Sequence, residues 1–245
     1  MIKLKYILCF AVILFFNTKV FIAAQSHSTS IYNAYVNDNM EKWKNIMDQM
    51  EIENDISKEK KMELLNYYYG YTAYYVGKKD EKKIEKYIEK AEKLIKEILE
   101  SDPNNSTAYA YKGSFIAFKI GMSKIKAPLL GPEGIRSINK AYELNKNDVQ
   151  AVADKANMLY YTPSIMGGDK QEAIKFYEKA VELMENKSLI RDNWQYLSIL
   201  TALAKRYDEM GYTSKAKSTY EKVLKIEPNF KLVRDQVYPD FLKKT

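Results

Sequence analysis

The chain has 245 residues, with 39 basic side chains against 32 acidic ones and a formal charge of +7. It holds one histidine and one cysteine, too few to build Ser-His-Asp, Cys-His or zinc chemistry with any redundancy. The length suffices for one domain or for a stack of repeats.

The first 24 residues read as a separate signal. Met1 to Lys5 is a basic start, and Tyr6 to Phe16 is an apolar run, too short to span a bilayer. Asn17, Thr18 and Lys19 interrupt it, and Ile22-Ala23-Ala24-Gln25 offers small residues for cleavage after Ala24. A signal peptide over 1–24 and a periplasmic or secreted chain are therefore expected. Cys9 sits inside the apolar run without small residues before it, so it is not read as a lipid-bearing cysteine. Loss of Lys3, Lys5 and Lys19 would lower the charge from +7 to +4, and loss of Cys9 would remove the only thiol. No membrane span is expected after cleavage. A small positive charge of mixed lysine and glutamate, on an exported chain, argues against nucleic acid as a partner.

The remaining chain reads as helix after helix, with little period-two alternation. A leader with helical character covers 25–56, its helix at about 30–52 carrying Ile31, Tyr35, Trp43, Ile46, Met47 and Met50. Four helix pairs follow over 57–228. The first joins 57–77 to 80–101, where Ile84, Ile88, Ala91, Ile95 and Ile98 repeat at helical spacing and Asp102-Pro103 ends the run. The second joins 106–121 to 133–146 through an apolar loop, Ser123 to Pro132, that is either packed down or used for contact. The third joins 148–162 to 170–186, and the fourth joins 189–211 to 213–227. The last segment, 229–245, carries Phe230, Val233, Val237, Tyr238 and Phe241 and is expected to cap the last pair, whose apolar face would otherwise be open.

Leu200, Leu203, Ala204, Tyr207, Gly211, Ala216, Tyr220, Val223 and Pro228 fall on the spacing of a tetratricopeptide repeat. Small residues stand where two short helices would cross, and large ones beside them. The fourth pair resembles that family closely, and the other three resemble divergent members. The resemblance implies an all-α fold, a right-handed superhelix of stacked antiparallel helix pairs. It also implies a scaffold that binds a protein or peptide partner on its concave face without catalysis or cofactor. A narrower similarity runs from Asn139-Lys140-Ala141-Tyr142-Glu143-Leu144-Asn145 through Tyr161-Thr162-Pro163 and Gly167-Gly168-Asp169 to Phe176-Tyr177-Glu178-Lys179-Ala180. This order resembles the T component of tripartite ATP-independent periplasmic transporters. It implies an alternative role as an accessory subunit beside a solute-binding or membrane transport partner.

In the repeat family the first helix of each pair lines the concave face. Carried over by position, this gives Tyr67, Tyr71 and Tyr74 in the first pair and Ala110, Ser114 and Ala117 in the second. The third gives Lys155, Met158 and Thr162, and the fourth Thr201, Lys205 and Asp208. Tyr67, Tyr71 and Tyr74 form one stripe of a helix, fitting either an aromatic contact patch or packing between helices. Gly167-Gly168-Asp169 fits a turn followed by a helix N-cap, and no phosphate loop accompanies it. His27 lies in a polar run expected to be an unstructured tail. The Lys78 to Glu97 stretch reads as a solvated helix face, with Glu89–Lys93 and Glu92–Lys96 as the expected pairs.

Overall fold

The structure is a computed structural model and describes residues 27–53 and 57–244. The expected signal peptide over 1–24, its expected cleavage after Ala24, and Cys9 lie outside the described residues. A helix over 27–36 (α1) precedes α2 (Met40–Ile52), α3 (Lys58–Lys78), α4 (Glu81–Ser101), α5 (Ser106–Met122) and α6 (Ala127–Leu144). Then follow α7 (Val149–Tyr161), α8 (Lys170–Asn186), α9 (Trp194–Glu209), α10 (Thr213–Ile226) and α11 (Tyr238–Leu242). No strand occurs among the described residues. The fold is all-α, built of antiparallel helix pairs α3–α4, α5–α6, α7–α8 and α9–α10 stacked in chain order.

Short polar side chains start most of these helices. Asn39, Ser57, Asp80, Asn105, Asp148, Asp169 and Asn193 each accept a hydrogen bond from a backbone N–H of the first turn, satisfying donors that have no intrahelical partner. Behind each cap one face turns inward. On α4, Ile84, Tyr87, Ile88, Ala91, Leu94, Ile95 and Ile98 are buried, each large side chain contributing about 1.5–3 kcal/mol of burial. The α5–α6 crossing is close because both helices carry glycine there. A Cβ on Gly113 would lie 2.4 Å from Ile138 and 3.0 Å from the Gly134 carbonyl oxygen.

The structure differs from the expectations in four places. The leader is two helices, since Asp38 takes φ 56, a left-handed conformation that Asp tolerates, and Asn39 then caps α2. His27 is helical, at the first described position of α1, rather than part of an unstructured tail. The stretch Ser123–Pro132 is mostly helix. A 3-10 turn, Lys124–Lys126, leads into α6, and Pro128 sits in its first turn, where the missing N–H costs nothing. Pro132 is exposed inside that helix. Helix α9 starts at Trp194 and not near 189, because Ser188 and Asp192 adopt φ 55 and 49 and Asn193 supplies the cap.

The C-terminal segment folds back on α10. Phe230, Val233 and Phe241 are buried, and the Phe241 ring lies 5.4 Å from that of Tyr220. The expected ion pairs on α4 form otherwise: Glu92 receives Lys119 of α5 at 2.5 Å, and Lys96 faces Glu100.

Candidate functional site

The first helices of the four pairs, α3, α5, α7 and α9, meet in a polar hub. Asn66 of α3 donates to the Tyr111 hydroxyl of α5 at 2.7 Å and to Gln195 Oε1 of α9 at 3.4 Å. Trp194 Nε1 donates to Asn66 Oδ1 at 3.0 Å. Gln195 Nε2 donates to Gln150 Oε1 of α7 at 2.5 Å, and Gln150 Nε2 donates to Asp154 Oδ2 at 2.7 Å. Asn157 completes the line. Its amide donates to Asp154 Oδ1 at 3.4 Å, and its oxygen accepts from the Tyr177 hydroxyl.

Beside this hub lies a cavity of about 90 Å³ lined by Tyr69, Gln150, Asn157, Tyr177, Trp194 and Gln195 among others. Organic ligands generally occupy about 300–1,000 Å³, so this space suits water-sized occupants. Asp154 is fully buried. Burial raises its pKa to about 7, against the opposing hydrogen bonds from Gln150, Ser114 and Asn157. Its donors are neutral amides and a hydroxyl, with no cation hydrogen-bonded to it. A carboxyl so enclosed cannot reach a substrate, and its role is to join α5 to α7.

The inner side of the stack is filled by the chain itself. Tyr35 of α1 packs between Trp194 of α9, Phe230 and Trp43 of α2, with ring centroids at 5.6, 5.0 and 6.1 Å. Its hydroxyl shares a hydrogen bond with Ser198 of α9, and burial pushes its pKa up to about 12. Tyr32 donates to Glu227 Oε2, just past α10, at 2.9 Å. Trp43 lies 5.0 Å from Trp194 and donates from Nε1 to the Tyr67 carbonyl oxygen at 3.1 Å. Helix α1 and helix α2 thus bridge the first pair and the last.

This arrangement corrects the positions carried over from the repeat pattern. Tyr67 and Tyr71 are buried, at 3% and 1% exposure, and offer no open surface. Tyr67 faces α2, its hydroxyl on Glu63 at 2.5 Å. Tyr71 packs on Tyr75 and on Tyr87 of α4, both at 4.7 Å. Tyr74 is half-buried against Tyr75, with Lys78 Nζ 5.4 Å from its ring. The side of α3 that faces the other first helices is Asn66, Tyr69 and Gly70, one residue out of step with the carried-over set. Lys155 is half-buried and donates to Asn139 Oδ1 of α6 at 2.5 Å, its pKa lowered by desolvation. Met158 packs with Leu159, Tyr160 and Ala173. Lys205 is half-buried, its pKa lowered first by desolvation and then by Arg206. These six do not come together as one surface.

Of the motif residues, Gly167 has φ 92, and Asp169 Oδ1 accepts from Glu172 N at 2.9 Å. A Cβ on Gly168 would fall 1.7 Å from the Thr162 carbonyl oxygen. Leu203, Ala204, Tyr207, Ala216 and Tyr220 are buried, and Pro228 is exposed in the turn after α10.

The hub residues Asn66, Gln150, Asp154, Asn157 and Gln195 and the Tyr35 plug were not singled out from the sequence. A signal was present in α7. Gln150, Asp154 and Asn157 form a polar stripe at i, i+4 and i+7 on a helix whose other positions are mostly alanine, valine and leucine.

A tetratricopeptide repeat model matches residues 167–187 and 197–230. These segments, α8 and α9–α10 with the turn after them, are similar to tetratricopeptide repeats. Two solved structures resemble it at 23% identity, both crystal structures of MamA. One covers 68% of this chain and 91% of its own, with a TM-score of 0.39; the other covers 71% and 88%, with a TM-score of 0.38. No curated protein sequence matches the chain significantly.

Proposed function

We propose that this protein is an exported, non-catalytic scaffold that holds a helical segment of a protein partner in the groove between its first and last helix pairs. The observation that supports this is the Tyr35 contact. The groove already holds a helix, α1, anchored by one aromatic ring between Trp194, Phe230 and Trp43. A partner helix with an aromatic anchor would compete for the same place, in the manner of helix-in-groove recognition. Weakening the anchor should then expose the groove. In co-purification from the native cell, Tyr35→Ala should retain more of a stoichiometric protein partner than the parent. A bound metabolite with no protein would instead support the transport-accessory role suggested by residues 139–180. The cavity of about 90 Å³ beside the polar hub is too small for an organic solute, so a solute would have to bind elsewhere, as in the open groove of about 440 Å³ lined by Ile95, Lys112, Ile116 and Glu133. Export rests on the basic start, the short apolar core and Ala23-Ala24. N-terminal sequencing should begin near Gln25, and a full-length chain recovered with the cytosol would contradict it.

A further inference from the structure

The four connections within helix pairs lie along one edge of the stack, because the first helices all run the same way. Side chains at that edge touch across neighbouring pairs. A Cβ on Gly121, at the end of α5, would lie 4.0 Å from Val76 of α3. Arg206 Nη2 donates to the Tyr161 hydroxyl at the end of α7 at 2.5 Å. The Tyr212 hydroxyl, between α9 and α10, donates to Gln171 Oε1 at 2.9 Å.

This edge carries bulky apolar side chains in solvent. Ile125 is 87% exposed, Leu129 81% and Ile165 96%, with Met166 at 52%. Ile125 protrudes from the α5–α6 connection, Leu129 from the first turn of α6, and Ile165 and Met166 from the α7–α8 connection. The connections along this edge carry a charge excess: residues 77–83, 122–129, 161–171 and 209–215 hold eight lysines and four carboxylates, with Lys124 and Lys126 flanking Ile125. Lys79, Lys82, Lys124 and Lys126 are exposed. The opposite edge, at 101–106, 144–149, 186–194 and 226–230, holds three cations and four carboxylates. The two edges therefore differ in sign, and the opposite edge exposes its aliphatic side chains less, Leu189 at 43% and Ile190 at 38%.

We propose that the edge bearing Ile125, Leu129, Ile165 and Met166 docks on an anionic lipid surface. The charge excess is complementary to acidic headgroups, and lysines near such a surface are drawn to it. Isolated aliphatic tips beside lysines suit burial at the boundary of headgroup and acyl chain. Tyr161, 67% exposed at the same edge, suits either a membrane boundary or a protein interface, but the lysine excess argues against the latter, since protein interfaces are depleted in lysine. No helix among the described residues is long and apolar enough to cross a membrane, so docking would be peripheral.

The test is co-sedimentation of the chain from residue 25, which contains every described helix, with lipid vesicles. It should sediment with phosphatidylcholine–phosphatidylglycerol vesicles, less so at high salt, and not with phosphatidylcholine alone. Ile125→Asp with Ile165→Asp should weaken this about tenfold or more, and so should Lys124→Glu with Lys126→Glu. Leu189→Asp, on the opposite edge, should bind as the parent does. Circular dichroism of each variant confirms that it remains helical. Absence of parent binding to anionic vesicles would overturn the proposal, and so would equal binding by the edge variants. A concentration-dependent dimer abolished by Ile125→Asp, with no vesicle binding, would assign the edge to a second copy of the chain instead.

Discussion

Trp194 Nε1 donates to Asn66 Oδ1 at 3.0 Å, joining residues 128 positions apart. Asn66 is on the first helix of the first pair and Trp194 on the first helix of the fourth. In an open solenoid each repeat contacts only its neighbours, and stability is a sum of local terms. Here the ends of the stack touch, and α1 and α2 lie across the junction. Trp43 and Trp194 are the chain's two tryptophans, so intrinsic emission reports on that junction directly.

The junction leaves no space at Gly70. A Cβ there would lie 2.7 Å from Trp194 and 2.8 Å from Trp43, and both rings are buried. Gly70→Ala should therefore lower stability by about 1–3 kcal/mol through overpacking, even though alanine favours a helix more than glycine does. Urea denaturation followed by tryptophan emission measures this. A Gly70→Ala chain as stable as the parent would mean that the two rings can move apart freely.

Asp154 makes stability depend on pH. Its folded pKa, about 7, lies above the ordinary value of 3.8. Between these values the folded chain holds a proton that the unfolded chain has released. Stability therefore falls as pH rises from about 4 to 7 and levels off above, by an amount on the order of 4 kcal/mol at most. Asp154→Asn should flatten this dependence and raise the melting temperature at pH 8 relative to the parent. Melting curves at pH 5 and pH 8 check it; an unchanged slope in the variant would exclude Asp154 as the source.

Tyr71 and Lys155 should behave differently when truncated. Tyr71 is 1% exposed between Tyr75 and Tyr87, and Tyr71→Ala should cost about 3–5 kcal/mol, as for other large buried rings. Lys155→Ala removes one hydrogen bond to Asn139 and leaves a half-buried site, at a cost of about 1 kcal/mol. Thermal melts of both variants compare them. A Tyr71→Ala chain that melts with the parent would return this ring to a contact role.

The helices were legible because each one advertises its ends and its period. Asp80, Asn105, Asp148 and Asp169 stand where caps belong, and Ala204, Ala216 and Tyr220 mark a crossing whose small and large residues are both buried. The inner wall was less legible, for a geometric reason. One residue of rotation about α3 exchanges Tyr67 and Tyr71 for Asn66 and Gly70, and a repeat pattern fixes the crossing of a pair more firmly than its facing to distant helices. The Tyr35 plug was hidden for a different reason. Its partners, Trp194 and Phe230, lie more than 150 positions along the chain, and no local period reports such a contact. The α5–α6 connection misled because two prolines, Pro128 and Pro132, read as loop when the first lies at a helix start.

The central claim is that the groove accepts a helix and that α1 fills it in the free chain. A fluorescently labelled peptide of residues 27–38 tests this most directly, titrated into the parent and into Tyr35→Ala, with circular dichroism confirming that both remain helical. Weakening the internal anchor raises the fraction of chains with an open groove and so the apparent affinity for an added helix. Tyr35→Ala should bind the peptide roughly tenfold or more tightly than the parent does. Equal binding by the two chains, or no binding by a folded Tyr35→Ala chain, would contradict it.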